Sequence, residues 1–321
     1  MRSCTKCGHS LADNVSVCDR CGEVVRGASS QQTPRRPPPP PLPPGRAGLG
    51  AASSVRPPTK RPPPPPAKGT CKLDSFGNPE GSQFGLARDG EFAGKRLLVW
   101  VPDADPCLCC AENPLWPALT AKGFRIVTKT DQFRPEWLAE VDQLWLFAGR
   151  PSRMDARGYA AVEAFINSGR GAYLAAENDP FVAEVAELTR RLYGVTVKGN
   201  YPGTKIGYVK TRGLTAQEQV AYGAGYQIDD HPLFSGLNFI YEGDTVSHVE
   251  PTPLLKPVFC ASDGQTLAAT SRKPGQRVLI DCGYTRYYYH PTRESLRLIT
   301  RTAGTVRYAQ NITAHLMGKS W

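Results

Sequence analysis

The sequence predicts an α/β domain built on a mainly parallel sheet, preceded by a small metal-dependent ribbon and a disordered proline-rich linker. Three observations predict it. Two Cys-x-x-Cys units stand within the first 21 residues, the prolines concentrate just behind them, and from Arg96 onward short apolar runs alternate with helical periodicity. A chain of 321 residues is long enough for one sizeable domain plus attachments. Its 30 prolines and 31 glycines are too many for one compact core, so part of the chain is expected to stay unfolded. The expected boundaries are 1–26 for the ribbon, 27–92 for the linker and 93–321 for the α/β domain.

The ribbon rests on Cys4-x-x-Cys7-Gly8 and Cys18-x-x-Cys21-Gly22. In each unit the i and i+3 thiolates converge on one ion, and the glycine gives the backbone freedom the tight turn needs. Ten residues separate the units, enough for a hairpin. A segment this short buries no core of its own, so coordination of one structural Zn2+ must supply its folding free energy, on the order of 10 kcal/mol. Four thiolates close the coordination shell and leave no position for catalysis; His9 is not needed. Redox-active pairs are the competing reading, but those sit singly at a helix start. The pattern over residues 1–25 resembles the short zinc ribbons at the N-terminus of many bacterial regulatory proteins.

Pro37–Pro41 and Pro62–Pro66 favour extended polyproline II, because proline lacks the donor that helices and ladders require. The segment reads as a semi-rigid spacer; Arg35-Arg36 before five prolines also suits an aromatic groove. Residues 70–92 are open between linker and a lip packed on the domain.

Within the domain, Leu97–Val101, Phe124–Thr128, Gln143–Phe147 and Ala172–Ala176 read as strands buried on both faces. Helical patterns fall between them: Leu115–Lys122, a helix near Glu136, and one with N-cap Ser152 and apolar stripe Val162, Phe165 and Ile166, ended by Gly169. After the fourth strand, Phe181, Val185, Leu188 and Leu192 recur at helical spacing. Pro257–Ala261 and Arg277–Gly283 carry apolar strand patterns that account for Cys260 and Cys282 as core residues, and Thr305–Met317 reads as a closing helix.

Charge and hydropathy narrow the function classes. The net charge is +10, yet residues 1–95 hold 14 Lys and Arg against 7 acids while the rest is nearly balanced. A basic arm neutralises phosphates without regard to sequence, so nucleic acid is an open partner, although arginines dispersed among prolines also serve solubility. No apolar run approaches the roughly 18 residues a membrane span needs, so no membrane role is expected. A polar, cysteine-bearing start without an export signal points to the cytosol, where the ten cysteines act as metal ligands and free thiols.

Several segments carry a resemblance. Asp142–Phe147, Ser168-Gly169-Arg170-Gly171, the strand leading to Glu177-Asn178-Asp179, His231-Pro232-Leu233-Phe234 with Gly236, and Glu242-Gly243 together resemble the class I glutamine amidotransferase-like superfamily, including its trehalose-utilisation type. The likeness covers about residues 95–317. It implies a flavodoxin-like, doubly wound sheet with ligands at the carboxyl ends of the strands. It also implies a cysteine at the turn after the fourth strand and a later His-Pro-Glu. This chain has Ala176-Glu177-Asn178 at that turn, and His290-Pro291 is followed by Thr292-Arg293 before Glu294. Without a thiol the acyl transfer has no nucleophile, so the domain is expected to be catalytically degenerate, with no catalytic residues assigned.

The candidate ligand-binding residues are Glu177, Asn178 and His290, at the mouth of the sheet. Asp179 is expected to cap the helix that Pro180 starts, and His231 to organise its loop. The loop Cys107-Leu108-Cys109-Cys110 opens at the same end; its thiols read as reduced loop residues, a second metal site with Cys71, or an activated nucleophile beside His290. Tyr284, Tyr287, Tyr288 and Tyr289 stack on a base or sugar, or pack the loop's own edges. Three functions follow: a non-catalytic binding or scaffold protein holding a protein partner or small ligand at the strand ends; a thiol-dependent hydrolase using Cys107–Cys110 with His290; and a nucleic-acid adaptor using the ribbon and basic arm.

Overall fold

A computed structural model of the chain describes residues 2–3, 10–11, 85–202, 207–208, 225–227, 231–243, 245–292 and 304–319. The chain divides into two compact units, Met1–Arg56 and Pro57–Trp321. In the first, strand β1 (Arg2–Ser3) pairs antiparallel with β2 (Ser10–Leu11), Arg2 opposite Leu11. Cys4, Cys7, Cys18, Cys21 and the proline runs lie outside the described residues, as does Cys71.

The second unit is built on a ten-stranded sheet. Its parallel half comprises β3 (Arg96–Trp100), β4 (Arg125–Lys129), β5 (Gln143–Phe147), β6 (Gly171–Ala175) and β14 (Arg277–Asp281), in the spatial order β4-β3-β5-β6-β14. Counted along the chain that order is 2-1-3-4-5, the flavodoxin-like arrangement the resemblance implied, and the direction of winding reverses between β3 and β5. Every residue of β5 and β6 is buried, so apart from Gln143, whose amide donates to the Thr313 carbonyl at 3.0 Å, both strands are apolar or aromatic in the sequence. Helices α1 (Leu115–Ala121) and α4 (Thr305–Leu316) pack on one another, as do α2 (Ala156–Asn167) and α3 (Ala183–Tyr193). Gly171 fits here because a Cβ would stand 2.5 Å from the Leu316 carbonyl oxygen of α4.

Beyond β14 the sheet continues through β13 (Thr266–Ser271), β12 (Leu255–Cys260), β9 (Gly225–Gln227), β8 (Gly207–Tyr208) and β10 (Phe239–Ile240), antiparallel except for the pair β8 and β9. Strands β7 (Val197–Pro202) and β11 (Thr245–Val249) form a separate two-stranded ribbon. Among the described residues no helix is long and apolar enough to cross a membrane.

Several local expectations change. The cap of α2 is Asp155, whose carboxylate accepts the Gly158 N–H at 2.8 Å, and Ser152 instead bonds to Tyr159 Oη at 2.7 Å. The element near Glu136 is a single 3-10 turn, Pro135–Leu138. Asp179 does not cap α3, which starts four residues later with Val182 at its cap and no side-chain bond there. The Asp179–Pro180 peptide is cis, and Asp179 clamps Gly199 of β7: its carboxylate accepts the Gly199 N–H at 2.6 Å and its N–H donates to the Gly199 carbonyl at 2.7 Å. Of residues 70–92, the described part packs on the domain: Ala87 and Phe92 are buried, and the fully buried Lys122 ammonium donates to the Ala87 carbonyl at 2.6 Å.

Candidate functional site

The carboxyl end of β6 runs into a tight bend. The Ala176 N–H donates to the Asp281 carbonyl at 2.7 Å, and the Glu177 N–H closes the turn on the Phe181 carbonyl at 3.0 Å. The bend itself, Ala176-Glu177-Asn178, contains no cysteine, and the Glu177 side chain is buried. Its carboxylate accepts the Thr285 N–H at 2.6 Å and the Asn178 N–H at 3.3 Å. Burial pushes the Glu177 carboxyl up to about 8, against the opposing pull of the Thr285 bonds and the Arg286 charge. Near neutral pH the group is therefore mostly a protonated acid.

Asn178 is committed as well: its Oδ1 accepts the Thr245 hydroxyl at 2.8 Å and its Nδ2 donates to the Asp179 carbonyl at 2.9 Å. His290 lies on the loop after β14, and its Nδ1 faces the Thr292 hydroxyl at 3.1 Å. Glu177 and that loop are brought together through Thr285. Asn178 is joined instead to β11.

The same loop reaches the end of β3. The Tyr289 N–H donates to the Cys107 carbonyl at 3.1 Å, the Tyr288 hydroxyl to Asp105 at 2.8 Å, and Asn113 Nδ2 to the Tyr287 carbonyl at 2.9 Å. The His290 and cysteine loops are thus held side by side by one backbone–backbone bond and two side-chain bonds. Asp105 caps the cysteine turn, accepting the Cys107 N–H at 2.8 Å. Burial, with Asp105 nearby, pushes the Cys109 thiol up, opposite to what an activated nucleophile needs. Among the described residues no group of three His, Cys, Asp or Glu side chains is placed to hold a metal ion. Cys260 and Cys282 are buried, and desolvation drives the Cys282 thiol far up.

The tyrosines pack the loop's own interior. Tyr284 donates to the Ala148 carbonyl at 3.1 Å, and Tyr287 is fully buried among Trp145, Phe147 and Tyr173. Beneath them Arg286 and Asp281 form a buried ion pair at 3.1 Å, with Tyr173 and Tyr308 donating to the other Asp281 oxygen at 3.0 and 3.1 Å. His231 does organise its turn: Nδ1 accepts the Leu233 N–H at 3.3 Å.

Sequence reasoning missed Glu184, a buried carboxylate on α3 that accepts the Gly149 N–H at 2.7 Å and the Arg153 N–H at 2.9 Å, fixing the loop after β5. The signal was present, because Glu184 lies four residues before Leu188 and so on the apolar stripe. Thr285 and Thr245 carried no such signal, since their partners are distant in sequence.

No family model matches the chain, and no curated protein does. Among solved structures it is similar to a cytoplasmic protein from Salmonella typhimurium LT2 (9% identity, 71% of this chain and 100% of that one, TM-score 0.47). It is similar also to a glutamine amidotransferase from Thermotoga maritima (9%, 70% and 98%, TM-score 0.42) and to a ThuA-like protein from Bacteroides uniformis (11%, 71% and 94%, TM-score 0.41).

Proposed function

We propose that the chain is a non-catalytic, cytosolic binding or scaffold protein. In this reading a ribbon holding one Zn2+ through Cys4, Cys7, Cys18 and Cys21 is tethered by the proline-rich linker of residues 27–92 to an amidotransferase-like domain that takes a small ligand or protein partner at the carboxyl ends of its strands. The observation that carries it is the bend after β6. Where acyl transfer needs a thiolate, the chain holds Glu177, buried, mostly protonated and bonded to the Thr285 and Asn178 N–H groups. A neutral carboxylic acid is a poor nucleophile and cannot form the thioester that glutamine hydrolysis passes through.

The experiment is a pair of measurements on the full chain. Glutaminase and esterase assays should give no turnover above buffer, and Glu177→Gln or His290→Ala should leave that result unchanged. Turnover abolished by His290→Ala would overturn the proposal.

One observation favours a second reading, a thiol-dependent hydrolase: the Tyr289 N–H to Cys107 carbonyl bond brings the His290 loop against the cysteine loop. The raised Cys109 thiol speaks against it. Iodoacetamide kinetics decide, since an activated thiolate alkylates faster at pH 7 than a free cysteine of ordinary pKa.

A further inference from the structure

The ten-stranded sheet ends at β4, and the outer edge of that strand is open. Among the described residues no strand follows β4 in the sheet order. Its residues run in unbroken parallel register with β3, from Arg96 opposite Arg125 to Trp100 opposite Lys129. The Arg125 N–H donates to the Lys95 carbonyl at 2.8 Å, and the Lys129 carbonyl accepts the Val101 N–H at 2.9 Å. Along a parallel strand alternate residues turn both backbone groups to the same neighbour, so Arg125, Val127 and Lys129 bond to β3. Ile126 and Thr128 therefore point N–H and C=O outward, where no described residue meets them.

Such an edge is a template for one more strand unless something blocks it. Two common blocks are absent, since β4 has no proline and no bulge. What it carries is charge. Arg125 is exposed, and the Lys129 ammonium lies 5.5 Å from the centroid of the half-buried Trp137 ring. Neither is paired with a carboxylate among the described residues, whereas Lys95 and Arg96, at the start of β3, are already paired with Asp142 and Glu140. Between the two cations, Ile126 and Val127 are only partly buried against the core, which leaves apolar surface for a neighbouring strand to cover.

Charge selects the occupant. Two copies paired antiparallel about Val127 would set Arg125 of one against Lys129 of the other at both ends, and paired parallel each cation would meet itself; like charges directly opposite are destabilising. The chain's own runs Pro37–Pro41 and Pro62–Pro66 lack the N–H that a ladder takes. An extended segment with carboxylates opposite Arg125 and Lys129, and β-branched residues between them, satisfies backbone, charge and apolar surface together.

We propose that β4 is a docking edge that takes an acidic, extended segment of a partner protein as a further strand of the sheet. The proposal rests on reading the chain as a binding protein, but it uses a different surface: β3 and β5 stand between β4 and the Glu177 end of β6.

The probe is the peptide acetyl-Thr-Glu-Thr-Val-Thr-Glu-Thr-amide, which presents the same alternation in either strand direction and has uncharged ends. It is titrated at constant ionic strength into isotope-labelled full-length protein and followed by amide NMR. The expected result is a saturable downfield shift of the Ile126 and Thr128 amides, and no saturable shift with the same peptide carrying Lys in place of Glu. Arg125→Glu, a change at an exposed side chain, should weaken the acidic peptide roughly tenfold or more and let the lysine peptide bind. Thr128→Pro removes an outward donor and spares the bonds to β3, so it should weaken binding while the thermal transition stays cooperative. Silent Ile126 and Thr128 amides, or equal affinity in Arg125→Glu, overturn the proposal. Shifts of these amides with protein concentration alone would give the edge to a second copy and overturn it too. A peptide that shifts Asn178 and His290 instead would overturn this edge and leave the binding function standing, whereas glutaminase turnover would sink the non-catalytic reading and leave the edge intact.

Discussion

Glu177 and two histidines add opposite limbs to the pH dependence of stability. Burial pushes the Glu177 carboxyl up to about 8 in the folded state, from about 4.5 for an ordinary glutamate in the unfolded chain. The folded state thus holds a proton that the unfolded state releases. That contribution is fully present below about pH 4.5 and is lost as pH rises through about 8. Glu177→Gln keeps an acceptor for the Thr285 N–H and removes the ionisation. Urea unfolding at pH 5, 7 and 9 should show the parent losing on the order of a few kcal/mol between pH 5 and 9, and the variant losing clearly less. Equal losses would show that the carboxyl is not held neutral. His231 and His315 act at the other end of the scale. Their rings meet at 5.0 Å, and burial lowers them to about 3 and about 4. Here the unfolded state binds the proton more tightly, so stability present above about pH 6.5 is lost as pH falls toward 4. His315→Leu should flatten that acid limb in thermal melts between pH 6.5 and 4.5.

At the scale of elements, the chain uses caps and clamps that join neighbours in space. Asp155 caps α2, and Asp155→Ala should cost about 1 kcal/mol in urea unfolding, as N-cap truncations do. Lys122 is fully buried, donates to the Ala87 carbonyl and pairs with Asp89 at 3.2 Å, tying residues 85–92 to the end of α1. Lys122→Met leaves the Ala87 carbonyl without that donor. Amide exchange of residues 86–92 should then accelerate, by roughly 1–3 kcal/mol of protection, while β5 and β6 keep theirs. The strand and helix patterns were legible because each is local. Gln143–Phe147 matches its predicted span, and the other parallel strands lie within a residue or two of theirs. Helix starts were less legible. Ser152 and Asp155 are both capping residues, and only the Tyr159 hydroxyl bonded to Ser152 separates their roles. Asp179 before Pro180 has the residue order of a cap, yet Gly199, twenty residues on, claims its carboxylate.

For the whole molecule, the ribbon and the α/β domain should respond separately to metal. A chelator should release one zinc per chain, read with a metallochromic dye, and abolish amide protection in residues 1–26 while the thermal transition of the domain stays in place. Release of no zinc would remove the ribbon from the proposal. The five parallel strands, their helices and the missing thiol after β6 were all determined by the sequence, since apolar period and residue identity act within a few positions of the chain. The candidate site was not. Glu177 stood out as a polar residue at a strand end, but its neutrality comes from burial beneath the loop that holds Thr285, 108 residues away. The antiparallel extension past β14 and the grip of Glu184 on Gly149 and Arg153 were likewise decided by tertiary structure. Hydrogen-bond partners and desolvation depend on which backbone is brought near, and that is fixed only when the whole sheet is assembled.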